Sequence, residues 1–590
     1  MTGESFFAHH SHDEAEQAAP ASQEEQRPGT IPADLIPYLE EADRVDEEDF
    51  DTEPVDSEPD ERDLALEALA LNSMLLGPDP SILAELEGDY SQWGEDWEEE
   101  LAERRAEDAH REALSDAAHS ARLEARVEEI YQEIIARVPE HQVQPTLDRV
   151  KETLDILGDP QNSYPSVHIT GTNGKTSTTR MIDALFAASG VRTGRFTSPH
   201  LVDVRERITI EQESISAEEF VRTWDDIAPY IEMVDRAHAE TDGTRLSFFE
   251  VFTVMAFAAF ADHPVDAAVV EVGMGGRWDA TNVIDAGVGV IMPIAIDHEK
   301  WLGSTIREIA EEKAGIIKPG VPLVTGRLEP EALAVVEQKA AEKDAPHFSW
   351  SQDYQVEHQE SEEGECFSFS NAYRAKDSYQ TALMGLHQAD NAGLALHLCD
   401  LYCQLQSLPL LTKAEVERAL LAAVWPGRLE RISDQPLILL DGAHNPHALQ
   451  SLAATLDQHY PTYRKHILFA CIQTKALDDM VELLQKIPKA AISLTAFADP
   501  RSFSKESMQA LAEQQSLSYK EWPDYLADYL AVEHESDELL LITGSLYFLA
   551  QVRKSILENR KLDFAERPSQ SSQLSKNKNE HRSIYGHEEN

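Results

Sequence analysis

The stretch Ile169–Gly190, ITGTNGKTSTTRMIDALFAASG, constrains the fold more than any other part of the chain. The run that leads into it, SVHIT at Ser166–Thr170, is short, apolar and rich in β-branched residues, which is the pattern of a buried strand. Gly171 and Gly174 permit a tight backbone whose successive N–H groups turn inward as an anion-binding nest. Beyond Lys175, the residues Met181, Leu185 and Ala188 recur at helical spacing, so a helix begins here with its positive end facing the loop, and Gly190 is placed to stop it. Strand, glycine loop and helix in that order supply the parts of a phosphate cradle. The strict phosphate-loop pattern asks for glycine where Ile169 stands, so this stretch alone leaves open an ordinary strand–turn–helix with an exposed lysine.

The rest of the chain narrows the choice. With 590 residues there is room for two or three domains. A net charge of −58 argues against nucleic acid or an anionic membrane as partner. About half of that charge lies in residues 1–120. No apolar run reaches the roughly 20 residues of a membrane span and no signal-like N-terminus is seen, which predicts a cytoplasmic protein. Cys366, Cys399, Cys403 and Cys471 are too sparse for a disulfide framework, and Cys399 and Cys403 read as packing on one helix face rather than as a metal pair.

Composition and periodicity predict four segments. Residues 1–124 form an acidic extension, disordered over the first 60 residues and then helical at Glu61–Gly77 and from Trp97, suited to docking an unknown protein or to no role beyond solvation. Residues 125–424 alternate short β-rich runs with helical stretches, as in a mostly parallel sheet covered by helices. WPGRLERI, from Trp425, marks a boundary, and a smaller Rossmann-like α/β domain follows over 425–562. Residues 563–590 form a disordered tail. The expected class is therefore α/β: a phosphate-loop ATPase domain followed by a smaller α/β domain.

In open α/β sheets ligands gather at the carboxyl ends of strands, so polar residues that end apolar runs are the candidates. Glu271 ends one run and is followed by Gly273, Gly275 and Gly276; Asp297 and His298 end another; Asp441 and His444 end a third. Mg²⁺ for a nucleotide triphosphate needs a carboxylate and hydroxyls, for which Glu271, Thr176 and Ser198 are the candidates. Imidazole is soft for Mg²⁺, so chemistry alone reads His298 as a core or orienting histidine. Lys313 reads with equal ease as a solvated lysine paired with Glu308 or Glu312.

The motifs GTNGKT, TSPHL, SFFE, EVGMGGRWDATN, DHEKWLGSTIREIAEEKAGIIKPG, GLHQADNA, WPGRLE, DGAHNP and TGSLYF occur in an order that resembles the folylpolyglutamate synthase/dihydrofolate synthase family of Mur ligases, over roughly residues 125–560. The resemblance implies an ATP-dependent ligase that adds L-glutamate to dihydropteroate, to tetrahydrofolate, or to both, through an acyl phosphate. It implies that Gly171, Thr172, Asn173, Gly174, Lys175 and Thr176 hold the ATP phosphates, with Asn391, Arg428, Asp441 and His444 also on the nucleotide. Ser198, Glu271 and His298 would bind a first Mg²⁺, and a carbamylated Lys313 would bind a second. Lys175, His298 and Lys313 are then the catalytic set, and the pterin-bearing substrate lies near Phe249, Glu250, Arg277 and Asp279. The implied protein is a monomer.

Two positions depart from the family pattern. Thr176 stands where the family loop more often has glycine, and CIQTKALDDM replaces a DKD-like segment. Competing readings are a Mur-type ligase of peptidoglycan precursors, against which EKAGIIKPG argues, and an ATP-binding interaction protein with an inert core.

Overall fold

The computed structural model describes residues 97–138, 145–241, 243–359, 364–473 and 476–566. The expected disorder of the first 60 residues, the helix at Glu61–Gly77 and nearly all of the C-terminal tail lie outside the described residues. The charged stretch from Trp97 forms one continuous helix, Trp97–Ile135. By packing, the chain divides between Glu129 and Ile130, and the larger unit, from Ile130 onward, carries the three sheets formed by the described residues.

Its first sheet has eight strands in the order β4-β3-β2-β5-β1-β6-β7-β8. These are β1 Ser166–Thr170, β2 Thr193–Phe196, β3 Ile208–Ile210, β4 Glu213–Ser214, β5 Ala267–Glu271, β6 Val288–Ile291, β7 Leu323–Thr325 and β8 His347–Ser349. All neighbours are parallel except the edge pairs β2–β3 and β3–β4. Parallel strands need helical crossovers, supplied among others by Lys175–Ala188, Phe248–Asp262, Ile306–Lys313 and Pro330–Glu342. The helix Phe248–Asp262 is apolar nearly all round, and accordingly it is buried along most of its length.

A three-stranded antiparallel sheet, β9 Tyr354–Gln359, β10 Glu365–Asn371 and β11 Asp377–Thr381, follows in the chain. Its Val356, Phe367, Phe369 and Tyr379 join one core with the helices Lys175–Ala188 and Leu386–Leu405. Cys399 and Cys403 are buried in that core, as the packing reading expected.

The second large sheet has the order β12-β13-β17-β14-β15-β16, from β12 Glu430–Asp434, β13 Leu437–Asp441, β14 Arg464–Phe469, β15 Ala490–Leu494, β16 Ser518–Tyr519 and β17 Glu538–Thr543. Only β12 is antiparallel to its neighbour. Alternate residues of β13 enter different cores: Leu437 and Leu439 on one face, Ile438 and Leu440 on the other. Burial on both faces is why this strand reads as an unbroken apolar run.

One buried polar group inside the first sheet titrates. His168 on β1 is fully buried, its Nε2 lies 2.8 Å from Thr281 Oγ1, and burial pushes its pKa down to about 3. The unfolded chain takes up this proton near pH 6.5 and the folded chain does not, so stability present above pH 6.5 is lost as pH falls toward 3. In denaturant unfolding of His168→Gln, the loss of stability between pH 7 and pH 4.5 should be smaller than in the wild type by about 2 kcal/mol. Equal losses in the two proteins would contradict this assignment.

Candidate active site

The carboxyl ends of β1, β5 and β6 from the first sheet, and of β13, β14 and β17 from the second, open onto one cleft of about 930 Å³. The loop Gly171–Gly174 leaves β1 and runs into the helix Lys175–Ala188, which ends at Gly190 with φ 78°. Gly171 has no room for a side chain: a Cβ there would lie 2.4 Å from Met292 Cβ. Two amines converge on its carbonyl, with Lys175 Nζ and Lys313 Nζ each donating at 2.9 Å. Burial lowers the pKa of Lys175, against the pull of Glu271 and Asp297. Burial and then Lys175 bring Lys313 down to about 7.

Lys313 is only 3% exposed, so the reading of a solvated, ion-paired lysine does not hold. The cause is a close backbone approach. A Cβ at Gly276 would lie 2.9 Å from both Glu312 O and Lys313 O, and one at Gly315 would lie 2.5 Å from Arg277 Cβ. The loop after β5 therefore seats the end of the helix Ile306–Lys313 and directs its last side chain inward.

Glu271, at the end of β5, is 1% exposed. Thr176 Oγ1 donates to its Oε1 at 2.8 Å, while its Oε2 is buried without a hydrogen-bond partner. Burial raises its pKa to about 7 even though Lys175, the Thr176 hydroxyl and Arg428 favour the anion. The threonine that departs from the family loop thus holds this carboxylate. Ser198 is buried beside Glu271 in the cleft lining. His298 is not a core residue: its side chain is 48% exposed, and it precedes the short helix Glu299–Leu302 with φ 52°.

Among the residues expected on the nucleotide, Asn391 donates to Gln388 Oε1 at 3.0 Å, and its Oδ1 would sit 2.9 Å from a Cβ placed on Gly174. Asp441 accepts N–H bonds from Leu429 and Ala443, each at 3.0 Å, which ties β13 to the linker carrying Arg428. Arg428 draws Asp441 toward the anion while burial raises its pKa. His444 Nδ1 lies 2.8 Å from Gly442 O.

Among the expected substrate residues, Asp279 is buried and accepts N–H bonds from Met274 at 2.9 Å and Thr281 at 3.0 Å; burial raises its pKa to about 6. The Phe249 ring lies against Gly273. Both oxygens of Glu250 are engaged, with Ser247 N donating at 2.7 Å and Arg149 Nη2 at 2.8 Å, so its carboxylate braces the helix start. Arg277 is half-exposed and donates to Glu311 O at 3.3 Å. Sequence reasoning did not single out Asn445 and His447, which reach the phosphate loop from the second sheet's side. The signal available was Asn445 before Pro446, a cap followed by proline in the first helical turn.

The Mur ligase middle domain family matches residues 169–399, and the Mur ligase glutamate ligase domain family matches residues 427–546. The dihydrofolate synthase/folylpolyglutamate synthase of Bacillus subtilis is 35% identical over 416 residues, which cover 70% of this chain and 95% of that protein. This chain belongs to the folylpolyglutamate synthase/dihydrofolate synthase family, within the Mur ligase superfamily. The Mycobacterium tuberculosis protein of the same description is 40% identical over 386 residues, 64% of this chain and 79% of its own length. The solved Mycobacterium tuberculosis folylpolyglutamate synthase complexed with ADP and AMPPCP matches with a TM-score of 0.65 at 35% identity, covering 73% of this chain and 98% of that one. An FPGS–AMPPCP–folate complex matches with a TM-score of 0.63 at 33% identity, covering 72% and 99%. The protein is an ATP-dependent ligase that joins a carboxylic acid to an amino acid.

Lys175→Ala should lower ATP turnover by roughly a thousandfold if its ammonium, now on the carbonyls of Gly171 and Thr172, serves the phosphates as the loop pattern expects. A steady-state phosphate-release assay checks this, and near-normal turnover would contradict it. Gly276→Ala, which forces the loop off Lys313, should lower both the melting temperature and the turnover.

Proposed function

We propose that this enzyme adds L-glutamate to dihydropteroate and to reduced folates at one site, through an acyl phosphate. The observation that carries the reading is the partnerless buried oxygen of Glu271 beside the phosphate loop, in a cleft that a second, ligase-type sheet faces. A carboxylate is a poor electrophile, so its oxygen first attacks the γ-phosphorus of ATP and ADP leaves. The glutamate amine then attacks the acyl carbon, and phosphate and a proton depart. Lys175 faces the transferring phosphoryl group, and Arg428, arriving with the second domain, adds positive charge. Seating residues 425–562 against residues 125–424 keeps water from the acyl phosphate. Asp279 and Phe249 line the pterin side of the cleft.

The donor set fits Mg²⁺. Glu271 offers a buried oxygen without a hydrogen-bond partner, with Ser198 beside it in the cleft lining; among the described residues no group of three or more His, Cys, Asp or Glu side chains is placed to hold a metal unaided. Ser198, Glu271 and His298 would hold it, where it would neutralise charge on the phosphates. Lys313, buried with its amine readily neutral near pH 7, adds carbon dioxide and releases a proton, which gives a carboxylate-like ligand for a second ion. Its burial beside Gly171 O supports that role.

Among the described residues no helix is long and apolar enough to cross a membrane, and the four cysteines are free thiols. We place the enzyme in the cytoplasm as a monomer, with the acidic segment 1–124 docking another protein.

Purified enzyme with Mg·ATP and labelled L-glutamate should incorporate label into both 7,8-dihydropteroate and tetrahydrofolate. Label with tetrahydrofolate alone would restrict it to chain extension, and label with neither would overturn the assignment. Lys313→Ala should be nearly inactive and partly restored by a short carboxylic acid such as acetate. Full activity without additive would contradict a carbamylated lysine.

A further inference from the structure

The phosphate loop is held from outside its own domain. Asn445 caps the helix Pro446–His459, with its Oδ1 accepting the Ala448 N–H at 2.9 Å. Its Nδ2 donates to Asp297 Oδ2 at 3.0 Å and to Asn173 Oδ1 at 3.3 Å. The other end of the Asn173 amide is also held, Nδ2 donating to His447 Nδ1 at 2.9 Å. Asn445 is 6% exposed, so its own bonds are partly sheltered from water, whereas the Asn173–His447 bond lies at the exposed rim.

We infer that Asn445 is a positioning residue, through which the C-terminal domain fixes both the phosphate loop at Asn173 and the turn that carries Asp297 and His298. The choice of side chain follows from the bonds. Serine, threonine or aspartate would cap the helix as well as asparagine does. Only asparagine offers a capping oxygen together with two N–H donors at this length. Aspartate would cap too, but would set a carboxylate against Asp297. Once the helix Pro446–His459 leaves, Asn173 loses the Asn445 and His447 bonds and Asp297 loses its Asn445 bond, so the nucleotide site relaxes as the domains part. The inference rests on the ligase reading above, because it concerns the geometry of that reaction.

The test is a mutant cycle on the full-length enzyme. Asn445→Ser keeps a capping oxygen and removes both bridges. Its kcat for glutamate addition should fall about tenfold to a hundredfold, with KM for tetrahydrofolate within about twofold and the melting temperature nearly unchanged. Asn173→Ala should lower kcat similarly, and the double variant should fall no further than the worse single. Wild-type kcat in Asn445→Ser, or losses that multiply in the double variant, would overturn the inference. If Asn445→Ser fails to fold, the exposed His447→Ala takes its place in the cycle with Asn173→Ala, and multiplying losses again overturn it. If the wild type adds no glutamate to folate, the functional reading fails instead. The same cycle, read on ADP affinity by calorimetry, then decides the linkage by the same criterion of non-multiplying against multiplying losses.

Discussion

A carboxylate buried at the end of a central strand with one oxygen unpaired is unfavourable unless something positive belongs beside it. Glu271 is such a group, and the site is arranged around it. Strand β5 carries it to the carboxyl edge of the sheet, Thr176 fixes one oxygen, and Lys175, Arg428 and the Ser198 backbone N–H favour its anion while Oε2 is left without a full hydrogen bond. Burial alone drives its pKa up to about 7, so a bound cation would reclaim the anion that desolvation disfavours.

The same economy of position explains the other groups. Lys313 owes its burial to backbone packing between the loop after β5 and the turn after its own helix, where glycine stands on both sides. Asp441 owes its place to a strand end in the second sheet, and its two accepted N–H bonds fix the linker from which Arg428 projects. Neither sheet contains the site. It exists where two carboxyl edges face each other, so the seating of one domain on the other belongs to the chemistry, and Asn445 joins the two at the phosphate loop.

Much of this was legible in the sequence because it rests on local rules. The β1–loop–helix unit follows from the apolar run, the glycines and the helical spacing, and the long helix from Trp97 from its charge pattern. The two parallel sheets follow from apolar runs separated by helical stretches. The strand-end rule holds for Glu271 and Asp441, which end β5 and β13; β6 stops at Ile291, so Asp297 lies in the loop beyond the strand, though it lines the same cleft. The antiparallel β9–β11 sheet was not read, because its alternation at Glu365–Asn371 is short and lies among polar residues. Of the core or orienting roles that chemistry alone assigns to His298, the core one fails, since nothing local reveals that a turn with φ 52° leaves it half-exposed. The burial of Lys313 and the bridging by Asn445 depend on contacts between residues more than a hundred positions apart, which no periodicity encodes.

The central claim is that the unpaired Glu271 oxygen is kept for a cation that arrives with the nucleotide. Calorimetric titration of ATP into the wild type and into Glu271→Gln, each with Mg²⁺ and with chelator, tests it most directly. The wild type should bind Mg·ATP at least about tenfold more tightly than ATP alone, and Glu271→Gln should bind the two nearly alike. An undiminished preference for Mg·ATP in Glu271→Gln would contradict the account.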